Sequence, residues 1–301
     1  MHVELAESTV LESITDSSLA GVRHRYAMID GLRIHYAEAG SGDPLILLHG
    51  WPQHWWEWRH LIGPLAQRYR VICPDVRGLG WSEGDGTGYS FERLARDVVD
   101  LMDALDIPRA RLVGRDWGLA TGYRACLNWP ERFERFVAMA GIHPWCLDGI
   151  SAPVLYRPWH IYVLAALGNS TPLYRGLTAR CLRAWRHEGH FTPRETEIYL
   201  RPMRGPAART ATIAFNRNVI RREIPEFARH YRLLRLRVPT LHLNGANDPL
   251  SEAVPPSYRD YADDMTLELV PDCGHFIPEE QPAWLLDRLT AFFAPPAGPR
   301  E

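Results

Sequence analysis

The sequence predicts an α/β domain, a mostly parallel sheet flanked by helices, with a helical cap inserted into it. Three observations carry that expectation. Short apolar runs (Leu45–Leu48, Arg70–Cys73, Arg111–Val113, Phe136–Ala140) alternate with segments of helical spacing, and short buried strands separated by helices build parallel sheets covered on both faces. The pattern breaks off after Gly141, where residues 143–235 are rich in arginine, tryptophan and proline and read as several helices without a clear strand. It resumes with apolar runs at Pro239–Leu243 and Thr266–Val270. The expected organisation is a loose tail over 1–20, a first core part over 21–142, a cap over 143–235 and a second core part over 236–301.

Each element has a local reason. The first twenty residues are polar, as untied termini usually are, and lack the basic region followed by an apolar stretch that marks a secretion signal. Val22–Ile29 and Leu32–Ala37 alternate and are joined by Asp30-Gly31, a hairpin signal because these residues tolerate the positive φ of a two-residue turn. Leu45–Leu48 ends at His49-Gly50 and is followed by Trp51, Trp55, Trp56 and Trp58. Ser90 is placed to cap a helix running to Leu105, with Phe91, Leu94, Val98, Leu101 and Leu105 on one face. A last amphipathic helix is expected from Pro282 to Phe293.

Composition sets limits on function. With 301 residues the chain can form one large α/β domain carrying an insert. Its formal net charge of -2 points to neither nucleic acid nor a membrane surface. All 34 basic residues are arginine, a bias that does not by itself make an anion site. The five cysteines are scattered without a C-x-x-C pair, so neither a disulfide framework nor a zinc site is expected, and a reducing cytoplasm is. No apolar run approaches the ~20 residues needed to span a bilayer.

The chemistry concentrates in Ala110-Arg-Leu-Val-Gly-Arg-Asp-Trp-Gly118. An apolar strand, then Gly114-x-Asp116-x-Gly118, then a helix is the context of a nucleophile elbow, whose usual form is G-x-S-x-G. Two partners follow in the order such a site needs. Asp248 ends the loop after one buried strand, and His275 follows the next. Cys273 lies two residues from His275 and is expected to be an inert filler. Aspartate at the elbow changes the chemistry. A serine must be deprotonated before it attacks, whereas a carboxylate is ionised at neutral pH with a reference pKa of ~3.9. It can attack a saturated carbon bearing a leaving group or strained ring and form an ester. A histidine held by a second aspartate can then activate water against that ester.

With these motifs in place, the chain resembles the α/β-hydrolase family and, within it, the epoxide hydrolases. The resemblance spans residues ~22–295 by order of elements. It rests on His49-Gly50-Trp51-Pro52, Asp75-x-Arg77-Gly78-x-Gly80-x-Ser82, Gly114-Arg-Asp-Trp-Gly118, Asp248 and Gly274-His275. It implies Asp116, Asp248 and His275 as the catalytic set, with backbone N–H groups of Trp51 and Trp117 forming an oxyanion hole. It also implies a small-molecule epoxide substrate, bulky or aromatic given the tryptophan-rich cap, no cofactor and no metal. A homodimer is compatible with it.

An epoxide needs a donor for its opening oxygen, which relatives supply from two cap tyrosines. Here the early cap segment reads Tyr156-Arg-Pro-Trp-His160-Ile-Tyr162, and the register places His160 at the donor position. Tyr162, two residues on, turns by ~200° toward the other helix face. The later segment reads Ala214-Phe-Asn216-Arg217, with Asn216 where a tyrosine is usual. Trp159, Tyr162 and Asn216 are expected substrate contacts. Two alternatives remain open at this level. A dehalogenase would use the same triad with the Trp117 indole cradling halide, although Trp51 after His-Gly favours epoxides. In haloacid enzymes arginines beyond the nucleophile grip a carboxylate; Asp116-Trp-Gly-Leu-Ala120 lacks them, although Arg115 precedes it. A non-catalytic ligand receptor would not need a complete triad.

Overall fold

The computed structural model describes residues 19–147, 158–166, 171–189, 191–230, 233–251 and 256–294, together with Leu11 and Ile14. Eight strands form one sheet: β1 (Arg23–Ile29), β2 (Leu32–Ala39), β3 (Asp43–Leu48), β4 (Tyr69–Pro74), β5 (Ala110–Arg115), β6 (Phe133–Met139), β7 (Thr240–Gly245) and β8 (Met265–Val270). Their spatial order is β1-β2-β4-β3-β5-β6-β7-β8. β1 and β2 pair antiparallel, β2 meets β4 antiparallel, and every later pairing is parallel. The Asp30-Gly31 turn takes positive φ at both residues, 51° and 76°, the geometry that lets a two-residue turn follow the strand twist.

The runs read from the sequence are the buried parts of longer strands. Leu45 to Leu48 lie at the sheet centre and are buried on both faces, which removes any alternation and leaves a continuous apolar run. β5 extends beyond the apolar residues to Arg115, and β6 begins three residues before Phe136. Ser90 caps the helix Phe91–Ala104 by accepting from the Arg93 N–H at 3.1 Å.

Two cores sandwich the sheet. On one face the helices Phe91–Ala104 and Trp117–Asn128 pack over Leu48, Leu112 and Phe136. On the other, Arg59–Ala66 and Pro282–Phe293 bring Leu61, Leu65, Leu285 and Leu289 against Leu45, Leu47 and Val113. Trp55, Trp56 and Trp58 belong to this second core and are almost wholly buried. Most of the expected tail lies outside the described residues; within it Leu11 and Ile14 are buried in the same core, and the Ile14 carbonyl accepts from the Trp56 indole at 3.2 Å.

Between β6 and β7 the regular elements of the described residues are helices joined by turns, with one isolated bridge from Leu236 to Ala262 and no strand: Trp159–Ala166, Thr171–Ala184, Pro193–Met203, Pro206–Asn218 and Ile224–His230, with a π-helical turn over Val219–Glu223. Thr192 and Glu195 form a reciprocal capping box at one start. These helices carry a third apolar cluster that closes over Trp51 and Trp117 from the core. Among the described residues no helix is long and apolar enough to cross a membrane. All five cysteines are free and buried.

Candidate active site

Asp116 follows β5 directly and starts the helix Trp117–Asn128 with φ 52° and ψ -110°. A non-glycine residue at positive φ is strained and persists where its surroundings over-determine it. Here they do. A Cβ on Gly114 would lie 2.2 Å from the Gly118 carbonyl, and one on Gly118 would lie 2.2 Å from the Leu48 carbonyl. Only glycine lets strand, turn and helix approach this closely. The turn lifts the Asp116 side chain off the sheet edge toward a cavity.

The Trp51 N–H donates to Asp116 Oδ1 at 2.8 Å. Trp117 is the first residue of its helix, so its N–H is among the donors the helix does not consume. His275 Nε2 lies 3.6 Å from Asp116 Oδ2, and its Nδ1 lies 2.8 Å from Asp248 Oδ2. The Leu250 N–H holds the other Asp248 oxygen at 2.8 Å. Asp248 and His275 are both buried. The three side chains come from the ends of three different strands, so the fold alone brings them together.

Charges at this site reinforce one another. Burial pushes the Asp116 carboxyl upward, but His275, the Arg115 guanidinium and the Trp51 N–H outweigh it and hold Asp116 below the ordinary carboxylate range. Burial also disfavours charge on His275, yet the Asp248 and Asp116 carboxylates raise it to about 9. The resting pair is therefore carboxylate and imidazolium at neutral pH.

A cavity of about 240 Å³ opens above Asp116, and its wall is mostly apolar. His160 lines it, stacked over Trp51 with ring centroids 5.9 Å apart and planes 7° apart. Its Nδ1 is buried without a hydrogen-bond partner among the described residues. Desolvation lowers its pKa to about 4, so the ring is neutral. Asn216 also lines the cavity, buried, with its Nδ2 donating to the Thr212 carbonyl at 2.8 Å. Tyr162 reaches the cavity as well, contrary to its expected turn toward the other face; both residues sit in the first turn of a helix whose end borders the space. Trp159 does not line the cavity. It is 41% exposed, edge-on to His160 and beneath the Arg180 guanidinium. Tyr156 lies outside the described residues.

Some neighbours carry no sequence signal. Trp185 accepts the His275 N–H on its carbonyl at 3.0 Å and packs its ring 5.0 Å from both His160 and His275. Phe215 stacks on Trp117 at 3.6 Å. Trp185 belongs to no motif, Phe215 lies in the segment read for Asn216 without a role of its own, and the packing of the helices between β6 and β7 brings both to the site. Glu57 did carry a clue, an acid inside the aromatic run WWEW, which must be paired if that run is buried.

A carboxylate at a strained elbow, with an N–H on one of its oxygens and a histidine–aspartate pair beside the other, is an arrangement suited to a hydrolase. The model of the alpha/beta hydrolase fold matches residues 43–282, and the chain belongs to that family. Within it the chain is epoxide-hydrolase-like. It is 30% identical to a soluble epoxide hydrolase of Corynebacterium sp. (strain C12) over 285 residues, 91% of this chain and 98% of the relative. A solved structure of the epoxide hydrolase CorEH without ligand superimposes with a TM-score of 0.81 at 31% identity, covering 91% of this chain and 99% of that one. A fluoroacetate dehalogenase of Burkholderia sp. is 32% identical over 205 residues, 62% of this chain and 66% of the relative.

Proposed function

We propose that this protein is an epoxide hydrolase that opens an epoxide to a vicinal diol through an alkyl ester on Asp116. The observation that carries the reading is a carboxylate, not a hydroxyl, at the elbow, with Trp51 N–H on one oxygen and His275 beside the other. Asp116 attacks a ring carbon, the C–O bond breaks, and the electron pair goes to the ring oxygen. His160, whose Nδ1 has no partner among the described residues, hydrogen-bonds that oxygen, assisted by Asn216 and Tyr162, and hands it a proton as the neutral ring is reprotonated at the expense of His275. Esterification removes the Asp116 charge that helped hold the proton on His275. His275 then sheds its proton, which balances the one taken from His160, and acts as a base.

Water activated by His275 adds to the Asp116 carboxyl carbon, and the oxyanion forms between the N–H groups of Trp51 and Trp117. One such donor is worth ~10²–10³ in rate. Collapse expels the diol oxygen, which takes the proton from His275, and the Asp116 carboxylic acid left behind passes its own proton to His275 to restore the resting pair. The apolar wall and the volume of about 240 Å³ suit a bulky or aromatic epoxide, and the free buried cysteines accord with the cytoplasm.

A single turnover in ¹⁸O-water tests the reading. The first diol released should carry oxygen from Asp116 and no solvent label, whereas label in that diol would mean direct attack by water. The second reading is a dehalogenase on the same triad, favoured by one observation: Trp117 lines the cavity, and an indole N–H there can cradle a halide. A panel of epoxides and haloalkanes scored for diol and released halide separates the two, and turnover of neither supports a non-catalytic receptor.

A further inference from the structure

Behind the candidate nucleophile lies an ion pair that the reaction scheme leaves unused. Arg115 and Glu57 are wholly buried, and neither lines the cavity. Arg115 Nη2 donates to Glu57 Oε2 at 2.8 Å and to Gln53 Oε1 at 2.7 Å, while its Nε donates to the same Glu57 oxygen at 3.1 Å. A Cβ built on Gly50 would sit 2.6 Å from Asp116 Cβ and 2.8 Å from Arg115 Nη2. The guanidinium and the Cβ of the candidate nucleophile therefore both face the space that a side chain on Gly50 would fill. The other face of the guanidinium lies 5.2 Å from the Phe276 ring, next to His275.

A buried ion pair is seldom more stabilising than apolar residues of the same volume, because both charges must be desolvated. This one is also incompletely satisfied: Arg115 Nη1, Glu57 Oε1 and Gln53 Nε2 are buried without partners among the described residues. Stability gives little reason for such a pair at the sheet centre. Its position gives a better one. The positive end adjoins the carboxyl group whose charge changes in each half of the reaction, and its ties run to the loop that carries the Trp51 donor.

We propose that Arg115, fixed by Glu57 and Gln53, is a positioning residue that sets the balance between the two half-reactions; the proposal rests on the ester mechanism above. When Asp116 is alkylated, negative charge leaves it and moves to the substrate oxygen, so a fixed positive charge beside Asp116 opposes that step. When the neutral ester is hydrolysed, negative charge returns to the same carboxyl oxygen as the tetrahedral oxyanion, so the guanidinium favours that step. Glu57 moderates the field and holds the guanidinium away from the carboxylate, preventing a direct pair that would quench the nucleophile.

The test is rapid-quench kinetics that times adduct formation and adduct breakdown separately. Arg115→Met should leave alkylation unchanged or faster and slow ester hydrolysis roughly ten- to hundredfold, the scale of one partly compensated charge acting over a few ångströms of protein interior. Covalent adduct should then accumulate, and Arg115→Lys should recover part of the loss. Because Arg115→Met strands the Glu57 carboxylate, the double variant Arg115→Gln/Glu57→Gln, which buries no charge, is measured beside it and should show the same partition. Equal slowing of both steps in both variants would mark the pair as structural and overturn the proposal. If the wild-type enzyme turns over epoxide without forming any Asp116 adduct, the ester mechanism fails and the proposal fails with it; adduct in the wild type with an unaltered partition in the variants sinks the proposal alone.

Discussion

Gly50→Ala is the smallest change that should disable the site while leaving the fold in place. Gly50 does not have a positive φ, so backbone conformation does not reserve the position for glycine. Space does. The new methyl would lie 2.6 Å from Asp116 Cβ and 2.9 Å from Arg115 Cζ, whereas carbon atoms rest at ~3.5–4.0 Å. Relief needs a shift of ~1 Å, and β5 is held by parallel partners on both sides, so the loop carrying Trp51 must move away from Asp116. That movement opens the 2.8 Å contact between the Trp51 N–H and Asp116. A misplacement of ~1 Å costs ~10²-fold in rate, and overpacking costs ~1–3 kcal/mol of stability. Diol formation under single-turnover conditions, read beside urea unfolding followed by tryptophan fluorescence, checks both numbers. A cooperatively folded Gly50→Ala protein whose rate stays within about fivefold of wild type, well short of the ~10² expected, would refute the steric reasoning.

Three further outcomes follow from the same geometry. His275→Gln should still open the epoxide yet stall at the ester, so intact-mass spectrometry should find Asp116 alkylated; full turnover would remove His275 from the scheme. His160→Phe should slow alkylation severely and leave hydrolysis of a preformed ester nearly intact, Asn216→Ala should do less because a neutral amide contributes ~1 kcal/mol, and a damaging Tyr162→Phe with a mild His160→Phe would transfer the donor role to the tyrosine. The raised His275 pKa carries a linked stability term: the ion pair with Asp116 and Asp248 contributes fully below the ordinary histidine pKa of ~6.5 and is lost as pH rises through about 9. Thermal midpoints from pH 6 to 10 should therefore fall more steeply for wild type than for His275→Gln, and parallel curves would contradict the assigned charge state.

What could be read from the chain were the features written in local order. Leu45 to Leu48 is continuously apolar because a central parallel strand is covered on both faces, so burial itself produces the run. Gly114-x-Asp116-x-Gly118 is legible because each glycine meets a backbone carbonyl at a distance no side chain tolerates. The order of Asp116, Asp248 and His275 follows from strands being laid down successively along the sheet. Strand ends were less legible: hydrogen bonding extends β5 to Arg115, beyond the apolar residues that signal it.

The sequence by itself determined the sheet, the elbow and the residue types available for attack, because glycine, proline and apolar spacing act through neighbours a few positions away. Only the tertiary structure decided which side chains face the cavity above the Asp116 carboxylate. His160 and Tyr162 share the cavity although helical periodicity sets them on opposite faces, since the helix presents its end to the space. Trp159 turns outward although it adjoins His160 in sequence. Arg115, one residue from Asp116, points into the sheet interior toward Glu57, fifty-eight positions away. Such placements depend on how separately formed layers pack, and packing is a sum over many distant contacts that no short stretch of sequence contains.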